Sequence, residues 1–355
     1  MNTKIEALLK MAVANKASDI HLSSEIPPKM RIRGQLVNVT NFEVSSRTEM
    51  AEMIMSILDE EQKKKFMEEK EWDFSIEVDG SRFRVNIFLQ KGMVSAALRI
   101  IPPDIPTFED LSLPEIFNSF LEYKQGFILV TGPTGMGKST TVASMLNKIN
   151  NQTASHIVTV EDPVEYLIKP KLSIVSQREV GHDTLDFPLA LRSSLRQDPN
   201  IVFVGEMRDL ETIQSALTIA ETGHLVFSTL HTNSAAQTID RIIDVFEVKE
   251  QIRTQLASVI TAVISQRLVP TIDGKLTPAF EILVATPAVK NCIREGKVFM
   301  IDNIIQTSSD VGMISLESYL AKLVKSGKIS EEVATSYALK PADLQNSLRS
   351  NKLNA

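Results

Sequence analysis

Cysteine is all but absent: Cys292 stands alone among 355 residues. A single thiol forms no internal disulfide and rules out a cysteine-rich zinc site. A reducing, cytosolic setting is therefore expected. Long apolar runs are missing too. No stretch approaches the ~18 uninterrupted apolar residues of a membrane span. The N-terminus, "MNTKIEALLKMAVANKASDIHL", has charges where a signal peptide keeps an apolar core. Any work at a membrane is then done from its side. There is no basic excess: 38 Lys and Arg face 44 Asp and Glu, a net charge of −6 and a pI near 5.6. That argues against a general nucleic-acid binder, although a local basic surface remains open. Internal repeats and low-complexity segments are also lacking. What remains, 43% hydrophobic and 23% charged residues, describes a soluble globular protein long enough for two domains.

The hydrophobic pattern changes character along the chain. Residues 3–16 are spaced as a short amphipathic helix, with Ile5, Leu8, Leu9, Ala12 and Val13 on one side. Residues 27–39 alternate as a strand or hairpin, and 47–70 predict one longer helix with Met50, Ile54, Ile57 and Leu58 on one face. Its "QKKKF" run suits a solvated face. Strands follow, with turns at Asp79-Gly80 and near Gly92. Then "IPPDIPTFEDLSLP" brings four prolines, which favour an extended segment. These signals divide the chain into an N-terminal domain (1–100), a proline-rich linker (101–114), an α/β core (115–280) and a helical C-terminal region (281–355). In the core, "GFILVTG", "HIVTVED", "NIVFVGE" and "HLVFSTL" are apolar throughout, as in a mainly parallel sheet covered on both faces.

The first of these strands runs into Gly132-Pro133-Thr134-Gly135-Met136-Gly137-Lys138-Ser139-Thr140, a match to G-x-x-x-x-G-K-[ST]. Glycines let backbone N–H groups turn inward around phosphate oxygens. The dipole of the following helix points at the same anion, and Lys138 brings a positive charge. Ser139 offers an oxygen to Mg²⁺. Lys138 is expected to face an open, phosphate-sized cavity. Hydrolysis further needs a carboxylate to orient or deprotonate water. Glu206, after "IVFVG", is one candidate, on a strand expected beside the phosphate-loop strand. Glu161, Asp162 and Glu165 in "VTVEDPVEYL" are others, and spacing does not rank these three. "GHLVFSTLHT" carries His224 and His231 seven residues apart, roughly 20 Å along a strand, too far for one metal ion.

Taken together, "GPTGMGKSTT", "VTVEDPVEYL", "IVFVGEMRD" and "GHLVFSTLHTNSA" resemble the Walker A, Asp-box, atypical Walker B and His-box motifs of the secretion-type hexameric ATPases, and "QREVGHDTLDFPLALRSSLRQDPN" matches that family in order and spacing. The resemblance is closest to the PilT-like retraction motors of type IV pili, and "SDIHL" and "FRVNIF" extend it into the N-terminal domain. It implies a RecA-like P-loop ATPase domain behind a smaller α+β, PAS-like domain. It further implies ATP with Mg²⁺ as cofactors, a homohexamer, and an inner-membrane platform protein as partner. By the same resemblance Glu206 is the main catalytic carboxylate and Glu165 the Asp-box glutamate. His224 and His231 sense nucleotide state near the pocket and the subunit contact, and Arg84 and Arg99 reach the nucleotide from the N-terminal domain. Met136 replaces the usual serine at a variable position, and Ser228 replaces a glycine. "AVKNCIRE", 288–295, departs from the retraction-linked motif at Val289, Lys290 and Cys292. Other readings are an accessory retraction ATPase, a pilus-extension or type II secretion ATPase, and a RecA-type DNA-dependent ATPase or nucleotide switch. The single cysteine and the short N-terminal region speak against the extension branch, which carries a tetracysteine zinc element.

Overall fold

The computed structural model describes residues 2–32, 34–40, 42, 46–101 and 104–349. They form two compact units, one running to Asp104 and including Glu165–Leu167, the other comprising Ile105–Val164 and the chain from Ile168 onward.

In the first unit, α1 (Thr3–Ala14) starts where the Asn2 side chain accepts from the Lys4 amide. Ile5, Leu8, Leu9 and Ala12 are buried at helical spacing, whereas Val13, expected among them, is 37% exposed at the edge of the stripe. β1 (Asp19–Leu22) precedes a hairpin of β2 (Lys29–Ile32) and β3 (Gln35–Asn38). The single helix expected over 47–70 is two, α2 (Arg47–Met55) and α3 (Glu60–Glu69). The break is local chemistry: Asp59 accepts from the Gln62 amide at 2.8 Å while the Gln62 side chain accepts from the Asp59 amide at 3.0 Å. This capping box restarts the helix. β4 (Glu71–Val78), β5 (Ser81–Gln90) and β6 (Met93–Ile101) form a meander. Its first turn has positive φ at both Asp79 and Gly80, and its second at Lys91 and Gly92, as two-residue hairpins require. The six strands pair antiparallel in the order β3-β2-β1-β6-β5-β4. Alternate residues such as Ile20, Phe83, Val85, Ile87 and Leu98 join the apolar faces of the three helices in one core. The other face is polar. This is the smaller α+β, PAS-like unit.

In the second unit, residues 105–114 contain neither helix nor strand, but they are not simply extended. The Thr107 amide and hydroxyl both donate to Asp110, closing a turn, and Phe108 is buried edge-on to Phe117 at 6.3 Å. Pro102 and Pro103 lie outside the described residues. Beyond α4 (Ile116–Phe120) come β7 (Gly126–Thr131), α5 (Lys138–Gln152), β8 (His156–Glu161), β9 (Ile174–Glu179), α6 (Phe187–Ser194), β10 (Ile201–Val204), α7 (Leu210–Glu221), β11 (Leu225–Leu230), α8 (Ala235–Asp244) and α9 (Lys249–Val259). A long hairpin of β12 (Ile260–Pro270) and β13 (Leu276–Val284) follows. The chain ends in α10 (Pro287–Arg294), α11 (Ile301–Thr307), α12 (Leu316–Lys325), α13 (Glu331–Tyr337) and α14 (Pro341–Arg349).

The strand order is β13-β12-β7-β11-β10-β8-β9, parallel throughout except for β13. β7, β10 and β11 are buried at every residue, because helices cover both faces. Phe127 and Leu129 point into a core shared with α6 to α9, and Ile128 and Val130 into one shared with α4 and α5. This is a RecA-like α/β domain. Two features differ from the sequence reading. β12 and β13 extend the sheet to Val284, into the stretch expected to be helical. And β10, which precedes Glu206, is not beside the phosphate-loop strand: β11 lies between them.

Candidate functional site

Parallel strands bring their carboxyl ends to one edge, where open α/β sheets bind ligands. The loops after β7, β10 and β11 meet there. The loop after β7 wraps from Gly132 to Gly137, and Gly137 is the N-cap of α5 at φ 76°, with no side-chain cap bond. The first amides of α5 are thus available to an anion. Two glycines lie close against the strand beneath them. A Cβ at Gly132 would lie 2.2 Å from the Gln266 carbonyl oxygen, and one at Gly137 would lie 3.1 Å from Gln266 Nε2.

Gln266, on β12, is the residue the motif analysis did not single out. Its Nε2 donates to the Met136 carbonyl at 2.7 Å, and its Oε1 accepts from the Thr141 hydroxyl at 2.7 Å. One amide therefore ties the tip of the loop to the first turn of α5. The Met136 sulfur accepts from the Leu268 amide, so this departure from serine turns back onto β12. The only sequence signal for Gln266 was the polar triplet Ser265-Gln266-Arg267 between apolar residues.

Lys138 does not face an open cavity. It is 7% exposed, and its Nζ donates to the carbonyls of Gly132 at 2.8 Å and Pro133 at 3.0 Å. The ammonium is held over the loop by the carbonyls it would exchange for phosphate oxygens. His231 Nδ1 lies 3.5 Å from Lys138 Nζ and 3.3 Å from the Thr134 hydroxyl, and its Nε2 lies 3.5 Å from Glu206 Oε2. β11 separates β7 from β10, so the residue that follows β11 falls between the lysine and the carboxylate. Glu206 is 13% exposed, and its Oε1 is held at 2.5 Å by Arg208, a second partner missed from sequence. Ser228, where a glycine was expected, donates its hydroxyl to the Val204 carbonyl at 2.8 Å and locks β11 to β10.

The other named residues are elsewhere. His224 is not at this edge. It precedes β11, its carbonyl accepts from the Gly126 amide at the start of β7, and its Nδ1 faces the Ile219 carbonyl at 3.0 Å. The length of β11 separates it from the phosphate loop, roughly 20 Å at a strand's rise. Within this chain His224 and His231 thus share no site. Of the acids after β8, Glu161 is buried and accepts from the Thr159 hydroxyl at 2.6 Å and from Gln177 at 3.2 Å. Asp162 and Glu165 are exposed, and Glu165 falls in the short stretch that belongs to the first unit. In that unit Arg84 and Arg99 are direct cross-strand neighbours, so both project from the polar face of the sheet. Arg99 is 68% exposed and donates to Asp19 at 3.0 Å. Burial pushes the Asp19 carboxyl up, but the Ser18 hydroxyl and Arg99 outweigh it and hold the group below the usual carboxylate range. Among the described residues no helix is long and apolar enough to cross a membrane, and no cluster of His, Cys, Asp and Glu could hold a metal ion.

The arrangement fits a nucleoside triphosphate: an anion cradle with a buried cation, beside a carboxylate that could receive a proton. Ser139, in the first turn of α5, fits as an oxygen donor to the accompanying Mg²⁺. Comparison with known proteins agrees. Residues 1–322 match the model of the family described as type II/IV secretion system protein. A Pseudomonas aeruginosa protein named type IV pilus retractation ATPase PilT is 47% identical over 340 residues, 95% of this chain and 98% of that protein. A Neisseria gonorrhoeae twitching motility protein is 46% identical over 86% of this chain and 83% of its own length. The crystal structure of the pilus retraction motor PilT with bound ADP superposes with a TM-score of 0.91 at 44% identity, over 97% of this chain and all of that one.

Proposed function

The chain belongs to the type II/IV secretion system protein family of ATPases, and within it we propose that this protein is the motor that converts ATP hydrolysis into retraction of a type IV pilus. It is an ATP hydrolase and uses a nucleotide. The observation that supports the retraction reading is likeness across almost the whole chain, first unit included, to proteins named for retraction and twitching.

In this reading the amides from Thr134 to Thr140 and the Lys138 ammonium bind the phosphates, and Lys138 gives up the Gly132 and Pro133 carbonyls to do so. ATP supplies the phosphoryl group; Ser139 would hold Mg²⁺, which would supply charge neutralisation at the phosphate oxygens. Glu206 takes a proton from the attacking water at Oε2, the oxygen not held by Arg208. His231 spans the gap between that carboxylate and Lys138, so it registers whether the lysine has moved. Arg84 and Arg99 offset charge on the transferring phosphoryl group, an effect worth about 10³ to 10⁵ in rate in comparable enzymes. Glu165 and His224 would act in the assembled ring rather than at this cluster. The working assembly is a homohexamer at the cytoplasmic face of the inner membrane, engaging the platform protein of the pilus machine.

Deleting the gene tests the direction of work. Retraction predicts surface pili that accumulate and cells that no longer twitch. Loss of surface pili would assign the chain to extension instead.

A further inference from the structure

β11 ends its ladder with β7 at the Thr131–Leu230 pair, and His231 is the next residue. It is exposed and lies in no helix or strand, yet the site depends on where its ring sits. The turn that carries it is held by side chains. The Thr232 hydroxyl meets the Thr238 hydroxyl at 2.7 Å, and Thr238 Oγ1 donates to the Ser234 carbonyl at 2.7 Å. The Asn233 amide donates to the Gln237 side chain, and Arg267 donates to the Asn233 side chain. Thr238 differs from the other pins in also reaching the last residue of β7, at the root of the phosphate loop. Its hydroxyl is 3.4 Å from that of Thr131, the last residue before Gly132, and Thr131 meets the Ser265 hydroxyl on β12 at 2.9 Å. Thr131 and Thr238 are fully buried and Ser265 nearly so. Buried hydroxyls in a dry core are kept only when bonded, and a bonded chain of them fixes geometry rather than adding much stability.

We propose that Thr238 is a positioning residue for hydrolysis: through Thr232 on one side and Thr131 on the other, its hydroxyl sets the His231 turn against the root of the phosphate loop. In this proposal Thr238, whose hydroxyl meets only Thr232, Ser234 and Thr131 among the hydrogen bonds described, acts through His231. The phosphate loop and its lysine are held independently by Gln266 and the β7 ladder, so nucleotide binding does not depend on Thr238. The proposal rests on the reading of the Lys138, His231 and Glu206 cluster as the hydrolytic site.

Steady-state ATP turnover by the full chain tests it, with Thr238→Val removing the hydroxyl at constant shape. The expected result is a kcat lowered about 10-fold, within the range that misplacing a catalytic group costs, and a KM for ATP within about twofold of the parent. Thr238→Ser should restore kcat, and Thr232→Val, at a less buried position, should reproduce the defect should Thr238→Val fold poorly. In a His231→Ala background Thr238→Val should cost nothing further, since residues that act as a unit are non-additive. Unchanged kcat in both valine variants, a defect confined to KM, or a full multiplicative loss in the His231→Ala background would overturn the assignment. Turnover that persists in Lys138→Ala would overturn the site itself and is told apart from those outcomes by that control.

Discussion

Lys138 and Glu206 carry opposite demands, and substituting each isolates one of them. Lys138→Ala removes the cation that replaces loop carbonyls with phosphate. It should abolish nucleotide-dependent turnover while far-UV circular dichroism stays that of the parent; normal turnover by the folded variant would contradict the phosphate-loop assignment. Glu206→Gln keeps shape and hydrogen bonding but cannot accept a proton. It should bind ATP and hydrolyse it at least about 10²-fold more slowly, as loss of a positioned base costs. If Glu165→Gln were the slower of the two, the ranking of the carboxylates would be reversed. At this scale the sequence was informative wherever a residue's job is fixed by local spacing. The strand, glycine turn and lysine at the start of a helix were legible because all three lie within fifteen residues. Gln266 and Arg208 were not. Gln266 reaches the phosphate loop from a strand more than a hundred positions away, and Arg208 is one exposed arginine among many until Glu206 is seen beneath it.

Strands and helices were legible when a single period ran through them and less so when capping or pairing partners decided. β7, β8, β10 and β11 announced themselves as unbroken apolar runs. The pause at Ser56 to Asp59 was hidden because Met50, Ile54 and Leu58 keep a helical spacing straight across it, and all three are in fact buried. β13 escaped notice because its pairing with β12 is antiparallel in an otherwise parallel sheet, and because it carries a charged residue, Glu281, into the core. That carboxylate accepts from the Ala235 amide at the start of α8 at 2.7 Å. Burial pushes its pKa up to about 7, the Ala235 amide opposes this, and Asp302 and Glu317 add to the rise while Lys340 lowers it. The unfolded chain releases this proton near the ordinary glutamate value of 4.5, so the folded state binds more protons between about 4.5 and 7. Its contribution to stability is therefore largest at low pH, is lost as pH rises through that window, and stays lost above it. Glu281→Gln, which keeps the acceptor without the charge, should be the more stable protein at pH 8, by on the order of 1 to 3 kcal/mol, and should lose part of the pH slope. Denaturant melts at pH 5 and pH 8 check this, and parallel pH curves for parent and variant would contradict it.

At the scale of the whole molecule, two compact units share one chain, and the arginines offered for catalysis belong to a different unit from the lysine and carboxylate. In the proposed ring, if those arginines come from assembled neighbours, turnover depends on assembly. Turnover per chain should rise with protein concentration as light scattering reports the ring. Arg99→Ala should bind nucleotide nearly as the parent does and lose turnover; full activity in a monomer would contradict the dependence on assembly. The family and the general architecture were legible here because several motifs in fixed order specify a fold far more tightly than any one of them. The geometry of the assembled ring was not, since it depends on surfaces that carry no local signature. The central claim is that hydrolysis at Glu206 powers retraction, and fluorescence imaging of labelled pili on living cells measures it directly. In cells whose sole copy is Glu206→Gln, pili should extend at the parental rate and fail to retract. Retraction at the parental speed would contradict the account.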